Sequence, residues 1–124
     1  MRIQLTVNGA ELTGTLGEGA AARDFAALLP LTVELADFHG RERVADLPRP
    51  LDLAGEPAST TAQPGDIAHY ATWDNMALFY GNQHHAAGLV RLVRLVRLGR
   101  LDDPAARVLA DLPESATAIV ELAD

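Results

Sequence analysis

Residues 2–16 read Arg2-Ile3-Gln4-Leu5-Thr6-Val7-Asn8-Gly9-Ala10-Glu11-Leu12-Thr13-Gly14-Thr15-Leu16. Apolar Ile3, Leu5 and Val7 alternate with polar Gln4, Thr6 and Asn8, and the alternation resumes in Ala10, Leu12, Gly14 and Leu16 after Asn8-Gly9. A period of two buries one face of an extended chain, and Asn-Gly accepts the positive φ angles of a tight turn. The stretch therefore predicts an antiparallel β-hairpin.

Downstream the period changes. Ala22, Phe25, Ala26 and Leu29 fall at i, i+3, i+4 and i+7 after Gly17-Glu18-Gly19 and stop at Pro30, which predicts a short amphipathic helix over 20–29. Alternation returns in Leu31, Val33, Leu35 and Asp37, breaks at His39-Gly40 and resumes over 41–47 as a second hairpin. Residues 48–66 hold four of the seven prolines, two glycines and Ser59-Thr60-Thr61, and predict a long surface loop. Two strands, Ile67 to Trp73 and Met76 to Tyr80, then flank a turn at Asp74-Asn75. Asp103 as N-cap, Pro104 at the first helical position and Ala105, Val108, Leu109 and Leu112 on one face predict a second helix ending at Pro113. Ala116 to Leu122 closes the chain as a strand.

Seven or eight short strands with two helices set between hairpins do not alternate as βαβ units, which argues against a doubly wound parallel sheet. The pattern predicts a mainly β fold: a closed, mostly antiparallel barrel with a short helix over each open end. Closure removes the sheet edges, and the apolar barrel mouths need a cover. At 124 residues and 48% apolar content the chain suits one domain, 1–124, able to remove about two-thirds of its unfolded surface from water. Disorder and a disulfide scaffold are excluded, and without cysteine there is no thiolate metal site and no cysteine nucleophile. No run reaches the ~20 apolar residues of a bilayer span, and Met1-Arg2-Ile3-Gln4 is not an apolar secretory segment. The expected setting is cytoplasmic, with no membrane partner.

Ten arginines, no lysine and seventeen carboxylates give a net charge of -7. The charge is unevenly spread: residues 1–88 carry -6, residues 89–101 carry +4 and residues 102–124 carry -5. An acidic protein repels a phosphate backbone unless its cations gather on one surface, and the only such gathering is Leu89-Val90-Arg91-Leu92-Val93-Arg94-Leu95-Val96-Arg97-Leu98-Gly99-Arg100-Leu101. It holds no aromatic residue and has acidic flanks, so no nucleic-acid partner is expected. Its three Val-Arg-Leu repeats match neither the period of a strand nor that of a helix. An in-frame duplication of six residues, absorbed as a longer strand, a bulge or a protruding loop, accounts for the pattern, and a protruding strand offers a homodimer contact through residues 89–101.

Several phrases carry a resemblance. They are Ala22-Arg23-Asp24-Phe25 through Leu28-Leu29-Pro30-Leu31, then Gly65-Asp66-Ile67 through Tyr70, then Trp73-Asp74-Asn75-Met76-Ala77-Leu78-Phe79-Tyr80, then Gly88-Leu89 with Arg97-Leu98-Gly99-Arg100-Leu101. In this order they resemble the cyclophilin-like fold proteins, a bacterial group of small barrels related to the cyclophilin prolyl isomerases. The resemblance implies an eight-stranded barrel capped by two helices. It does not imply isomerase activity.

Rotation about an X-Pro bond has a barrier of roughly 18–20 kcal/mol, and lowering it takes a pocket for the ring and donors that favour the twisted amide. Phe38-His39-Gly40-Arg41 superficially resembles the Phe-His pair and neighbouring Arg of true cyclophilins, which makes Arg41 a weak catalytic candidate; the same residues also read as a hairpin turn with Phe38 half buried. The Met76 to Tyr80 strand is similar to the one whose aromatic residue floors the proline pocket, a place taken here by Phe79, although a lone Phe in a strand is commonly core. His84 or His85 lies where a pocket-rim side chain is expected, or in a solvated loop. His69 shares its predicted face with Ile67, Ala71 and Trp73 and reads as an interior histidine, and with adjacent histidines diverging in a loop no metal site and no cofactor are expected. Arg23 either stabilises its helix locally or reaches a carboxylate such as Asp66. The resulting expectation is a binding module for a small ligand or proline-containing peptide, with Phe79, Trp73, Tyr70, Met76, Arg23 and His85 as ligand-binding residues. An active prolyl isomerase and an interaction subunit assembling through residues 89–101 are the alternatives.

Overall fold

The computed structural model describes residues 1–57, 61–81 and 94–123. Eight strands are present: β1 (Arg2–Val7), β2 (Ala10–Leu16), β3 (Leu31–Phe38), β4 (Glu42–Asp46), β5 (Asp66–Tyr70), β6 (Asn75–Phe79), β7 (Leu95–Leu101) and β8 (Ser115–Leu122). They close into a barrel in the order β1-β2-β7-β5-β6-β4-β3-β8, with every pairing antiparallel. Helix α1 (Ala20–Ala27) follows β2, and helix α2 (Ala105–Ala110) follows β7. Neighbouring strands β2 and β7 run in opposite directions, so the two helices lie at opposite ends of the barrel.

Alternation fills the interior as the sequence predicts. Ile3, Leu5, Val7, Leu12, Leu16, Val33, Leu35, Ile67, Met76, Leu78, Ala118 and Val120 form one buried cluster, which Phe25 of α1 and Leu109 of α2 join from the two ends. The opening hairpin has the expected register, with Val7 opposite Ala10 and both Asn8 and Gly9 at positive φ (51° and 82°). Burying these side chains contributes ~1.5–3 kcal/mol apiece for the larger ones, which is why the two-residue period is decisive.

The details differ from expectation in three places. The strand predicted to reach Trp73 stops at Tyr70, and residues 71–74 form the turn: Trp73 N–H donates to Tyr70 O, Ala71 N–H donates to Arg94 O, and Asp74 takes φ 51°. Trp73 is thereby released from the sheet and half exposed. Helix α2 starts one residue late, with Pro104 rather than Asp103 as its N-cap and no side-chain cap, and the Asp102 carbonyl accepts from Ala105 N–H. Arg23 does not reach Asp66, whose carboxylate is held by Arg97 (3.2 Å) and Arg100 (3.0 Å).

That last contact explains how β7 absorbs its three-residue period. Ile67 pairs with Gly99 but Ala68 pairs with Arg97, so Leu98 is an extra residue on β7. A bulge of this kind resets the alternation. Leu98 and Leu101, three apart, are both in the core, while Arg97 and Arg100, also three apart, both meet Asp66. Both edges of β7 are paired, with β2 and β5. Residues 89–93 of the repeat, with His84 and His85, lie outside the described residues.

The seam between β2 and β7 is tight enough to require glycine. A Cβ on Gly99 would lie 2.8 Å from Leu16 Cα and closer still to the Thr15 carbonyl, and one on Gly14 would lie 2.8 Å from the Arg100 carbonyl. Backbone on both sides cannot yield as a side chain does. Gly99→Ala is expected to lower the unfolding free energy by about 2 kcal/mol, read from the urea midpoint; an unchanged midpoint would show that the seam opens freely.

Candidate functional site

The inward phase of β4, β5 and β6 belongs to the barrel core, but the outward phase is also apolar. Ala68, Tyr70, Ala77, Phe79 and Leu95 form a second buried cluster on the outer surface, with Ala62 of the preceding loop and with Val44 packed against it. Register explains the grouping, since Val44 pairs with Ala77 and Ala77 with Ala68 across three neighbouring strands. Phe38 and Glu42 pair at the adjoining end of β3 and β4, and Glu42 pairs with Phe79 on its other side.

A hollow of about 130 Å³ opens on this face, lined by Phe38, Val44, Tyr70, Trp73 and Asn75. The Tyr70 and Trp73 ring centroids lie 5.2 Å apart at 60°, those of Phe38 and Trp73 6.3 Å apart at 63°, and the His39 ring lies 4.1 Å from that of Phe38, tilted by 59°. Trp73 forms one wall, standing 50% exposed on its turn.

Behind Tyr70 sits a carboxyl group with little to hold its charge. Glu42 is 5% exposed; the Tyr70 hydroxyl donates to its Oε2 at 3.1 Å, and its Oε1 is buried with no hydrogen-bond partner among the described residues. Burial raises the Glu42 pKa to about 7, opposed by the Tyr70 hydrogen bond and the charge of Arg41, and reinforced by Asp37. Tyr70 is pushed upward as well, first by burial and then by the neighbouring carboxylate. Asn75 carries a second buried acceptor, Oδ1, that finds no partner among the described residues.

Other polar groups nearby are committed. Arg43 points into the barrel end, where Nε, Nη1 and Nη2 donate to the carbonyls of Leu109 (3.1 Å), Pro113 (2.7 Å) and Leu112 (2.9 Å). Its plane also faces the Tyr80 ring at 5.3 Å, and the Tyr80 hydroxyl donates to Asp37, which with burial pushes Tyr80 up to about 12. His69 is buried with Nδ1 2.9 Å from Asn75 O, so Nδ1 carries the proton and Nε2 is a bare, unpartnered lone pair among the described residues. Burial lowers its pKa, which keeps the ring neutral.

Of the residues singled out in the sequence, Tyr70 and Trp73 line the hollow and Phe79 lies beneath it, 6.5 Å from Tyr70 ring to ring. Met76 does not join them: opposite phase on β6 turns it into the barrel core, 1% exposed. Arg41 is half-buried at the start of β4, its charge felt by Glu42. Arg23 is exposed on α1, a helix that packs on β2 and β7 away from this face. His85 lies outside the described residues. Glu42, Val44 and Asn75 were not anticipated. Their signal is present, however, in the outward phase of β4 to β6, where Val44, Ala68, Tyr70, Ala77 and Phe79 are apolar on a face that solvent would otherwise make polar.

A larger hollow of about 480 Å³ runs along β2 and β7 past Thr15, Glu56, Arg97, Leu98 and Arg100. Its charges are satisfied within the fold: both guanidinium groups meet Asp66, and Glu56 accepts from Ala21 N–H at 3.4 Å. The outer aromatic pocket, with acceptors left over, is the better candidate.

Among the described residues no helix is long and apolar enough to cross a membrane. A family model described as the cyclophilin-like family matches residues 5–121. No curated protein matches the chain. The chain is similar to a hypothetical protein from Archaeoglobus fulgidus whose structure was solved in solution, at 20% identity and a TM-score of 0.73, over 99% of this chain and 95% of that one. A likeness at that identity concerns the fold.

Proposed function

This chain belongs to the cyclophilin-like family, and on that basis we propose that it is a binding module for a small ligand or for a side chain of an extended peptide. The observation that supports this reading is the outer pocket itself. Five side chains from β3 to β6 and their turn converge on a concavity with three aromatic walls, on a sheet face where a solvated barrel would carry polar groups. Trp73, half exposed on its turn, is the wall a ligand would cover.

Little or no prolyl isomerase activity is expected. Lowering the rotation barrier takes donors aimed at the twisted amide, and the fully buried, unpartnered side-chain atoms beside this pocket, Glu42 Oε1 and Asn75 Oδ1, are acceptors. Arg43, the buried guanidinium nearest in sequence to Glu42, is held by three carbonyls of the α2 end.

Amide resonances of isotope-labelled protein test the reading. Two short capped peptides, one with a central proline and one with a central lysine, are titrated to millimolar concentration. Saturable shifts of Phe38, Val44, Tyr70, Trp73 and Asn75 with either peptide are the expected result. Shifts from neither, or shifts confined to Thr15, Arg97 and Arg100 in the other hollow, would overturn it. In the same sample the cis–trans exchange rate of the proline peptide should equal its rate without protein.

A further inference from the structure

The pocket's chemistry narrows the class of ligand, an assignment that rests on the hollow being a binding site at all. The fully buried side-chain atoms left unpaired around the hollow are both acceptors. Glu42 Oε1 and Asn75 Oδ1 are buried acceptors with no donor among the described residues. Leaving such an oxygen unmet is costly, and two on one small face mark where a donor is missing. Three of the walls are aromatic rings, Phe38, Tyr70 and Trp73, whose π faces attract cations. Glu42 lies behind the lining residues rather than among them: it pairs with Phe38, lies two residues from Val44 on the same face of β4, and accepts from the Tyr70 hydroxyl.

A neutral apolar guest would satisfy the rings and leave both oxygens stranded. An anion would meet the same two unpaired oxygens, and a prolyl amide offers an acceptor carbonyl without an N–H. We propose that this pocket binds the head of a protonated organic amine, whose N–H groups donate to the Glu42 carboxylate and the Asn75 side-chain oxygen while its carbon atoms rest against Phe38, Tyr70 and Trp73. Size agrees, since a cavity of ~150 Å³ accepts a benzene-sized guest and this one measures about 130 Å³. The ligand is then an alkylammonium with a head of a few heavy atoms, free or at the end of a basic side chain.

The charged and titratable groups facing Glu42 are Arg41 in the turn before β4, Asp37 on β3, Tyr70 on β5 and Tyr80 just after β6. An ammonium guest favours ionised Glu42, so binding and deprotonation reinforce one another and affinity rises with pH through 7.

Trp73 is the single tryptophan of the chain, so its emission reports on the pocket alone. The full-length protein is titrated at pH 8 with n-butylammonium, 1-butanol, butyrate and tetramethylammonium. Butylammonium should saturate the signal at least tenfold more tightly than butanol or butyrate, lose about tenfold on going to pH 6, and lose at least tenfold in Glu42→Gln. Thermal unfolding of that variant, read alongside, establishes that it is folded. Equal binding of butanol and butylammonium, with Glu42→Gln unaffected, would overturn the ammonium assignment and leave the binding reading standing. Tetramethylammonium binding as tightly as butylammonium would overturn the donated hydrogen bonds. Silence from all four probes would remove the ammonium assignment, and silence together with unmoved pocket amides in the peptide titration would remove the binding reading too.

Discussion

Arg43→Met is expected to lower the unfolding free energy by about 4 kcal/mol, a large share of the 5–15 kcal/mol typical of a domain. The Arg43 side chain is 4% exposed, and its three donors are distributed over Leu109, Leu112 and Pro113 carbonyls, with Asp37 at 3.9 Å as the nearest carboxylate. Those carbonyls belong to the C-terminal end of α2 and the chain entering β8, where the partial negative charge of a helix C-terminus favours a cation. One side chain thus fixes β4 to the helix that closes a barrel end. Methionine preserves most of the volume and no donor, so the cost is the stranded carbonyls rather than a cavity. Arg43→Lys should recover less than half, because a single ammonium cannot reach three acceptors in a fan. Urea unfolding followed by far-ultraviolet circular dichroism measures both; a loss below 1 kcal/mol for Arg43→Met would mean that water replaces the guanidinium without penalty.

The second large effect is a pH dependence with an unusual sign for a carboxylate. Glu42 titrates near its ordinary 4.5 when unfolded and at about 7 when folded, because burial disfavours its charge. The folded state therefore holds the proton more tightly, and its contribution is complete below pH 4.5 and lost as pH rises to 7. Each pH unit across that window removes about 1.4 kcal/mol, for about 3 kcal/mol in all. His69 acts in the opposite sense. Its folded pKa is depressed, so the unfolded chain gains a proton below about 6.5 and stability rises as pH climbs through that region. Asp24, lowered to about 2 by Arg49 and then by the Asp52 amide, contributes above 3.8 and is lost only in stronger acid. The difference between wild type and Glu42→Gln isolates the Glu42 part. Glu42→Gln should be more stable than wild type by about 3 kcal/mol at pH 8 and nearly equal to it at pH 4.5. Parallel melting curves for the two proteins from pH 4.5 to 8 would show that Glu42 is solvated and would also weaken its role toward an ammonium ligand.

The two effects share a cause that reading along the strands does not expose. Arg41 and Arg43 differ by two positions, so alternation assigns them the same phase; only the start of β4 at Glu42 leaves Arg41 in the turn and carries Arg43 into the barrel end. The resemblance drew attention to Arg41 because it follows Phe38-His39-Gly40, whereas the guanidinium with structural consequence is Arg43. Likewise Met76 and Phe79 belong to one short strand, but their opposite phase sends one to the core and the other to the outer cluster.

The barrel was legible segment by segment. Alternation in Ile3 to Val7, Leu12 to Leu16, Val33 to Leu35 and Ala116 to Val120, together with two short helical faces and the Asn8-Gly9 turn, is local information that each segment carries whatever its neighbours do. The aromatic residues Tyr70, Trp73 and Phe79 were legible as a group for the same reason, being close along the chain. The candidate site, by contrast, came from strand pairing. Phe38, Glu42, Val44 and Asn75 meet those rings through the β3-β4-β6-β5 register. The extra residue at Leu98 likewise sets which arginines meet Asp66. A strand records which of its side chains share a face. Which faces adjoin, and how deeply a carboxylate on one of them is buried, depends on pairings between residues dozens of positions apart, and the cost of that burial exists only once the barrel has closed.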